Sequence, residues 1–578
     1  MTQPDKSISF MRSLCLGKIE EDLLFPFPKV KPEERETLKT LQDSFASWLK
    51  GRDAEFREWD RQRHMPATFI QEMRQFGLFS LVVPEEHGGL GFSATAYSRA
   101  LQELSRYESS IALTAGAHSS IGMRGVLLFG TEEQKKKWLP RLATCELIAA
   151  FCLTEAGAGS DAGSIKTKAV KDGEGWRITG EKIWITNGGI ADFFTVFART
   201  DGPEGHITAF IVTRDMPGVT SGPHEDKMGI RASSTTTVNL QDVKVGREHL
   251  LGEVGKGFKV AMKILNSGRT GLGGGCIGMM KKAIAAAAKQ AKERKQFGQP
   301  IASYGLIKQK LGHMVVDCYA TESVVSLVAG IVDRGFEDYA VEAAISKVFS
   351  TECLWRTLDE ALQVAGGNGY MREFPYERML RDARINRIFE GTNDILRLFI
   401  ALTAMNDVGH ELKEVAAVVG NVMDEPIKGF GILTDYTKRR LTQMTGVGRA
   451  LFTKTHPDIK QFAQVFETCS SDLGGAADRI LRKHGKNIIH KQFATKRLAD
   501  IMIDLFVQAA VISRVSQSIE EKGREKAAKE VEILEVFSGQ VHRRVKSNFG
   551  KIDNNDDELI KSLADHAFDE ERYVWDNI

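Results

Sequence analysis

Hydrophobic residues recur every three or four positions along much of the chain, and this spacing predicts helices. In the first part of the chain it holds in stretches such as LKTLQDSFASWLK, FIQEMRQFGLFSLV and YSRALQELS, with breaks at Pro84 and at the HGGLGF loop. The pattern therefore predicts an N-terminal helical domain at residues 1–150.

The spacing changes between residue 151 and about residue 250, where short segments are β-branched and partly alternating. GWRITGEKIWIT, DFFTVFART, HITAFIVTR and TTTVNLQDVKV are separated by Gly, Asp and Pro turns, which is the pattern of strands joined by short loops. We therefore expect a compact antiparallel sheet or barrel, as a middle β domain at residues 151–262.

Helical spacing returns after GEVGKGF in long segments with short loops, which predicts a helical bundle domain at residues 263–405. Regularity lapses between about 406 and 455, and helical periodicity resumes from Asp458 to Lys546. The expected fold class is thus α+β, mostly α, with an extra C-terminal helical domain at 406–578.

Length, charge and cysteine usage exclude several function classes. A chain of 578 residues is too long for one core, and 78 Lys+Arg against 76 Asp+Glu give no basic surface for nucleic acid. The seven cysteines include no C-x-x-C pair, so neither a disulfide framework nor a cysteine-rich metal site is expected, and a reducing compartment fits best. No apolar run approaches the roughly 20 residues of a membrane span, and no transit peptide is clear.

One carboxylate stands out in RDARINRIFEGTNDI, residues 381–395. The two apolar residues before Glu390 would desolvate it and raise its pKa, whereas the helix that follows, capped by Thr392 or Asn393, would lower the pKa. Such opposed effects can tune a carboxylate to act as a general base near neutral pH, and Gly391 would allow close approach of a ligand. The alternative is a first-turn glutamate that only favours the helix dipole.

The loop FCLTEAGAGSDAGS (151–164) places three glycines and Ser160 at the entry to the sheet. Its backbone N–H groups could meet a phosphate or a flat ring, a plain connecting loop being the alternative. On the predicted strand EKIWIT, Trp184 and Thr186 alternate, so that one could cover an aromatic ligand while the other hydrogen-bonds it. A core tryptophan is the alternative there.

Two other glycine clusters have structural interpretations. GLGGGCIG (271–278) lies inside a helical region, which predicts close helix packing. QVAGGNGY (363–370) follows a helix, where Gly366 and Gly367 could form an ordinary C-cap. Neither cluster assigns a function by itself.

Taken in order, these stretches resemble the motifs of the acyl-CoA dehydrogenase family over nearly all of residues 1–405. TEAGAGSD resembles the first family motif, KMGIRASSTTTV the middle one, RKQFG and QVAGGNGY the flavin-contacting helices, and RDARINRIFEGTNDI the stretch that bears the catalytic base. One departure is Ala156, where the family usually has proline after TE. It removes no functional side chain.

The resemblance implies bound FAD and oxidation of a fatty acyl-CoA to its trans-2-enoyl thioester. Glu390 would remove the α-proton, and its backbone N–H would hold the thioester oxygen together with a flavin ribityl hydroxyl. Some relatives carry the base immediately before the arginine that is Arg269 here, but this chain has Gly268 at that place. Glu390 is therefore the candidate base of the two.

The resemblance also assigns binding residues by position. Those expected to line or hold the cofactor are Phe151, Cys152, Leu153, Thr154, Ser160, Trp184, Ile185, Thr186, Thr392, Asn393 and Asp394. Those that resemble contacts to the FAD of a neighbouring subunit, and so imply a homodimer, are Arg294, Phe297, Gln363, Gly366 and Gly367. Those expected to contact the acyl-CoA are Ser160, Asn266, Arg269, Phe389, Glu390 and Gly391.

The residues beyond 405 resemble the very-long-chain branch of the family, which includes a relative that also assists respiratory complex I assembly. In that branch the added domain supports a dimer and membrane contact. Residues 428–454 are basic, Lys454 among them, with only Asp435 opposed, and their apolar residues fall on one helical arc. This composition predicts peripheral contact with an anionic membrane, a solvated linker being the alternative.

The resemblance implies the first step of fatty acid β-oxidation on long or very long chains, with electrons passed to electron-transferring flavoprotein at the matrix side of the mitochondrial inner membrane. Long substrates are favoured chiefly by the extension. The small residues of SSIALTAGAHSSIG (109–122) could floor a deep acyl channel or only pack helices tightly. The alternatives are a complex I assembly factor that keeps the fold, and an oxidase that gives electrons to oxygen.

Overall fold

In a computed structural model of the chain, residues 6–202, 204–409 and 451–576 are described. They form two compact units. The first comprises the residues up to Ser7 and Phe25–Ile395, and the second comprises Ile8–Leu24 and the described residues from Leu396 onward. The sequence predicted an N-terminal domain beginning at residue 1, so the grouping of Ile8–Leu24 with the second unit is a feature that its pattern did not indicate.

Helices dominate up to residue 143, because apolar residues at three- and four-residue spacing make one buried stripe on each helix. They are α1 (Phe10–Cys15), α2 (Glu21–Leu24), α3 (Pro32–Leu49), α4 (Asp53–Gln62), α5 (Ala67–Gln75), α6 (Ala94–Ser105), α7 (Ser109–Gly116), α8 (Arg124–Phe129) and α9 (Glu132–Ala143). A π-helical turn, Ala117–Gly122, joins α7 to α8. Such turns are rare and often lie at functional sites.

A mixed sheet follows, built from the β-branched segments. Its strands are β1 (Ala149–Cys152), β2 (Lys168–Asp172), β3 (Gly175–Thr186), β4 (Phe193–Arg199), β5 (Ile207–Thr213), β6 (Val219–Ser221), β7 (Thr235–Val245) and β8 (Leu250–Leu251). They are ordered β6-β7-β3-β2-β4-β5-β8, with β1 parallel to β4. The β3–β7 pairing shifts register between Lys182 and Ile185, which redirects the end of β3.

Long helices complete the first unit. They are α10 (Gly257–Glu293), α11 (Gly305–Asp333), α12 (Ala340–Ala365), α13 (Gly367–Tyr370), α14 (Tyr376–Arg384) and the start of α15 (Asn393–Ala404), with a small hairpin of β9 (Lys295–Gln296) and β10 (Gln299–Pro300). A Cβ on Gly274 would lie 2.4 Å from the Ser98 carbonyl oxygen. The close helix packing predicted from the glycine cluster of α10 is therefore confirmed.

One helix in the described part, α11, is long and apolar enough to cross a membrane by length and composition. However, 72% of its apolar window is buried inside the protein. It is placed as the core helix of a bundle, packed against α10 and α12.

The second unit contains long helices after residue 456. They are α16 (Lys460–His484), α17 (Gln492–Lys522), α18 (Ala528–Asp553) and α19 (Asp557–Glu570). The predicted fold class, helical, β and helical with an added C-terminal helical domain, is thus confirmed. Most of the basic segment 428–454 lies outside the described residues. Of its described end, Lys454 pairs with Asp22, so that lysine is held by an acidic side chain of its own unit.

Candidate active site

The turn that carries Glu390 has an unusual backbone. Glu390 and Gly391 both lie in the left-handed region, with φ of 56° and 90°. A residue with a Cβ loses roughly 1–2 kcal/mol in that conformation, so the surroundings of the turn must stabilise it. Of the two predicted caps, Thr392 is the one that caps α15, since its Oγ1 accepts from the Ile395 N–H at 3.2 Å.

The Glu390 carboxylate is directed into the protein although the residue as a whole is half-buried. Its Oε2 is buried and has no hydrogen-bond partner among the residues that the structure describes. Burial raises the pKa of Glu390 to about 7, and the charges of Arg269 and Lys347 oppose the rise. This agrees with the expectation of a carboxylate tuned toward neutral pH.

Gly268 faces the same carboxylate. A Cβ added at Gly268 would lie 3.2 Å from Oε1 and 3.4 Å from Oε2 of Glu390, and 2.8 Å from the Ile121 side chain. The two sequence positions compared for the base therefore meet at one point in space. Glycine permits this close approach, and Glu390 supplies the only carboxylate of the two.

Arg269 and Asn266, both expected to contact the substrate, lie on α10 next to this point. Arg269 is buried and donates from Nη1 to Asn266 Oδ1 at 2.7 Å, while its Nε has no partner in the described part of the chain. Burial lowers the pKa of Arg269 to about 10, opposed by the charge of Glu390. A buried guanidinium with an unused donor fits a polar ligand group.

Sequence reasoning missed Lys347. Its side chain is fully buried in α12, and Nζ donates to the Gly391 carbonyl and to Asn393 Oδ1, both at 2.8 Å. Burial lowers the pKa of Lys347 to about 7, and the charge of Glu390 is the largest opposing effect. A signal was present, because this lysine interrupts a mainly apolar segment of α12, AAISKVF.

Asn393 was expected to hold the cofactor, yet its side chain is directed into the protein. It is 2% exposed and donates from Nδ2 to Thr351 Oγ1 at 3.0 Å and to Glu352 Oε1 at 2.9 Å. Thr392 and Asp394 on either side of it are half-buried and exposed. The side chains of Thr392 and Asp394, together with the backbone, remain available to contact a ligand on the outer side of the turn.

The loop that contains TEAGAGSD is held by a second buried lysine. Glu155 accepts from Lys182 Nζ at 2.7 Å, from the Lys166 N–H at 2.5 Å and from the Thr167 N–H at 3.0 Å. Burial would raise the pKa of Glu155, but the Lys182 charge and these hydrogen bonds outweigh it and hold the pKa below its usual value. The Thr154 carbonyl accepts from the Ile183 N–H at 3.0 Å, which fixes the loop beside β3.

Next to this loop the end of β3 exposes the ring of Trp184, and we call this area the open ring surface. Trp184 is 63% exposed with φ of 55°, so it is not the core tryptophan considered as the alternative. Thr186 and Phe151 are half-buried, and Ser160 is exposed. No atom lies within 4 Å of a Cβ built on Gly157, so the loop leaves space above its backbone. A flat aromatic ring system fits such a surface.

The remaining predicted cofactor residues fall into two groups. The side chains of Cys152, Leu153 and Ile185 are buried in the core, so only their backbone can face a ligand. The residues expected at a neighbouring subunit's cofactor are all exposed, namely Arg294, Phe297, Gln363, Gly366 and Gly367. Phe297 is 93% exposed at the β9–β10 hairpin, and Gly366 also caps α12 with φ of 59°.

Family models match most of the chain. The N-terminal, middle and C-terminal domains of acyl-CoA dehydrogenase match residues 35–146, 150–243 and 255–405. A further model, described as ACAD9/ACADV, C-terminal domain, matches residues 457–573. The matches therefore extend over both units.

Whole proteins are similar as well. The very long-chain specific acyl-CoA dehydrogenase, mitochondrial, of Rattus norvegicus is 40% identical over 95% of this chain and 85% of its own length. A probable acyl-CoA dehydrogenase of Bacillus subtilis is 37% identical over 83% of this chain and 80% of its own. The crystal structure of an acyl-CoA dehydrogenase complexed with FAD from Bacillus anthracis is 34% identical, with a TM-score of 0.81 over 98% of this chain and 96% of that chain.

The helical, β and helical order, the buried glutamate of the IFEGTND turn and these matches agree with one another. The family resemblance that the motifs indicated for residues 1–405 is confirmed by the models that match between residues 35 and 405. This chain belongs to the acyl-CoA dehydrogenase family, and its C-terminal domain is the one shared by the very-long-chain branch.

Proposed function

We propose that the protein is an FAD-dependent dehydrogenase that converts long- or very-long-chain acyl-CoA to trans-2-enoyl-CoA, with Glu390 as the base. One observation carries the proposal. The Glu390 Oε2 is buried and unpaired among the described residues, the pKa of Glu390 is raised to about 7, and its carboxylate lies against Gly268, where no larger side chain fits. A base poised in this way can remove a weakly acidic proton at physiological pH.

Glu390 takes the proton from C2 of the acyl chain, the carbon next to the thioester carbonyl. The same residue provides a second group, because its backbone N–H donates to no group in the described part of the chain. Held in a turn of fixed conformation, this N–H donates to the thioester oxygen, where negative charge develops as the proton leaves. Arg269 and Asn266 lie beside this point to orient the thioester and the pantetheine chain next to it.

FAD is the proposed cofactor, supported by family membership and by the fit of the open ring surface. Thr154, Ser160, Trp184, Thr186 and Phe151 would line it, with the backbone of Cys152, Leu153 and Ile185. When bound, the flavin supplies the acceptor for the hydride of C3. Trp184 and the glycine-containing loop would keep water from that face of the site.

A long acyl chain is supported by open space at Gly116. Gly116 at the end of α7 is half-buried, and no atom lies within 4 Å of a Cβ built on it. Most glycines of α10 are in contrast tightly packed; a Cβ on Gly271, for example, would lie 3.0 Å from Ser120 Oγ. The helices are thus closely packed at Gly271, whereas the space at Gly116 could accommodate a long acyl chain.

A homodimer with Arg294, Phe297, Gln363, Gly366 and Gly367 at the partner's cofactor belongs to the same proposal. It is supported by the apolar side chains that the same region exposes, Phe297, Leu306, Tyr370 and Met371. Apolar groups grouped on a surface favour contact with another protein surface. Sedimentation of the protein and of Phe297→Asp tests it, because the variant should shift toward the monomer and an unchanged dimer would contradict this contact.

Electron-transferring flavoprotein as the acceptor, and the matrix side of the mitochondrial inner membrane as the location, complete the proposal. Both are supported by similarity to the mitochondrial very-long-chain enzymes. Membrane contact through residues 428–454 is tested by deleting that segment and measuring binding to cardiolipin-containing vesicles. Turnover of soluble substrate should be kept, and unchanged vesicle binding would favour the linker interpretation.

The activity itself is tested by anaerobic mixing of FAD-loaded protein with palmitoyl-CoA. The flavin absorbance should bleach, and a protein that keeps its absorbance would contradict the proposal. Addition of oxygen after bleaching separates a dehydrogenase from an oxidase, because only an oxidase should release peroxide at the rate of turnover.

A further inference from the structure

Lys347 lies behind the turn that carries the base. It is fully buried, and its Nζ reaches the Gly391 carbonyl and Asn393 Oδ1 at 2.8 Å each. Asn393 in turn donates to Thr351 and Glu352, which lie one turn further along the same helix as the lysine. The turn is therefore tied to α12 at two points.

The backbone of the turn requires such ties. Two consecutive residues, Glu390 and Gly391, have positive φ, and a glutamate adopts that conformation only at a cost of roughly 1–2 kcal/mol. Strained residues persist where the surroundings over-determine them, and they concentrate at sites of function. The ammonium of Lys347 supplies a strong, charge-assisted hydrogen bond to the Gly391 carbonyl, which lies between strained Glu390 and the helix that follows.

The charge of Lys347 is placed to act on the base. The charged and titratable groups that face it are Glu390, Arg269, Cys276 and Glu352, and among them Glu390 has the largest effect. The contribution of Lys347 to Glu390 is in the direction of a lower pKa. A buried positive charge near a desolvated carboxylate stabilises the ionised carboxylate, which is the form that can accept a proton.

We propose that Lys347 is a positioning residue for the reaction: it holds the Gly391 carbonyl so that the Glu390 carboxylate is directed toward Gly268, and in its protonated form it places a positive charge near that carboxylate. The inference rests on the proposed function, in which Glu390 is the base. Lys347 itself does not touch the reacting atoms in this account.

The test compares three substitutions of Lys347 with one control. Lys347→Met removes both the charge and the donor, Lys347→Gln keeps a donor without the charge, and Lys347→Arg keeps both. The matched control is Lys282→Met. Lys282 is a half-buried lysine that likewise donates to a backbone carbonyl, that of Tyr107 at 2.9 Å, and burial also lowers its pKa.

The readout is the rate of flavin bleaching by palmitoyl-CoA, followed anaerobically from pH 6 to pH 9 on FAD-loaded protein. Without the positive charge the pKa of Glu390 rises, so the ascending limb of the profile should move to higher pH by about one unit in Lys347→Met and Lys347→Gln. The rate at pH 7 then falls about tenfold and is regained at higher pH. Lys347→Gln should be faster than Lys347→Met at high pH, because its amide still donates to the turn.

In Lys347→Arg and Lys282→Met, the ascending limb of the pH profile should lie at the same pH as in the wild type. If the two neutral variants bind FAD and show an unmoved limb, the proposal is overturned. If both fail to fold or to bind FAD while Lys282→Met does so normally, Lys347 is a folding residue and the proposal is overturned as well. If the wild-type flavin does not bleach at all, the proposed function itself has failed, which this series distinguishes from a failure of Lys347.

Discussion

Glu155 and Glu390 both lie in glycine-containing loops, and both lie near the charge of a buried lysine. Glu155 accepts three hydrogen bonds, from Lys182 and from two backbone N–H groups, and its pKa is held below its usual value. Glu390 has an unpaired Oε2 among the described residues, and burial raises its pKa to about 7. Hydrogen bonding, rather than the local sequence, thus makes the first an anchor and the second a base.

The lysines differ in the same way. Lys182 donates to the carboxylate itself, whereas Lys347 donates to the backbone of the next residue and to Asn393. A direct charge pair stabilises a loop, and it also removes the reactivity of the carboxylate. A charge placed behind the turn can hold the geometry and leave the carboxylate oxygens to a substrate.

The largest effect is expected from exchanging each carboxylate for its amide. Glu390→Gln should bind FAD and acyl-CoA, yet lower the rate of flavin bleaching about a thousandfold, because no general base remains. Glu155→Gln should bleach at a rate near that of the wild type per bound FAD. Stopped-flow absorbance measures both, and wild-type turnover in Glu390→Gln would refute the assignment.

Lys182→Met should remove the ion pair that holds Glu155 and its loop. This variant leaves the Glu155 carboxylate buried without its counter-charge, which costs about 3–5 kcal/mol. We expect a lower midpoint of thermal unfolding and reduced FAD content. The double variant Lys182→Met with Glu155→Gln is the control, since removing both charges should recover part of the loss; no recovery would argue against the pair as the cause.

Filling the open space at Gly116 should change which chains react. In Gly116→Leu we expect the kcat/KM for palmitoyl-CoA to fall about tenfold or more, with much less change for butyryl-CoA, because added methyl groups occupy the path of the long chain. Gly550→Leu, an exposed glycine of α18 with open space around it, is the matched control. An equal loss on both substrates would place Gly116 outside the channel.

The smallest effect is on stability, with opposite signs for the two carboxylates. The pKa of Glu390 is higher in the folded than in the unfolded chain, so ionisation above about pH 4.3 destabilises the fold as pH rises toward 7. Glu390→Gln should therefore gain stability relative to wild type between pH 5 and pH 8. The pKa of Glu155 is lowered, so its stabilisation is present at neutral pH and is lost on acidification.

Glu155→Gln should accordingly be least stable relative to wild type at neutral pH, with the difference shrinking as pH falls below 4. Thermal unfolding of the three proteins across pH measures both trends. Parallel curves for the two variants would mean that the carboxylates do not differ as described.

Much of the fold followed from the sequence because it rests on periodicity. The change from three- and four-residue spacing to short β-branched segments and back marks the helical, β and helical order, and the periodicity after Asp458 marks the added domain. The grouping of Ile8–Leu24 with the C-terminal unit did not follow, since it depends on contacts between residues far apart in the chain, which local spacing does not encode.

The residues of the candidate site also differ in how far their roles could be predicted from the sequence. The raised pKa of Glu390 agrees with the prediction, although Ile388, one of the two neighbours expected to desolvate it, is 46% exposed. The roles of Lys347 and Lys182 could not be predicted, because each acts on a loop tens of residues away; the apolar neighbours of Lys347 marked it as unusual without showing what it contacts. Asn393 shows the converse, since its position in the motif suggested a ligand contact while the fold directs its side chain toward α12.

The central claim, that Glu390 is the group that removes the proton, is tested most directly at that proton. Palmitoyl-CoA deuterated at C2 is mixed anaerobically with FAD-loaded wild type and with FAD-loaded Glu390→Gln, and loss of deuterium is measured by mass spectrometry from pH 5 to pH 9. Wild type should remove deuterium at a rate that rises with pH around a midpoint of about 7, and Glu390→Gln should not exceed the background without protein. Deuterium loss at the wild-type rate in Glu390→Gln would contradict the account.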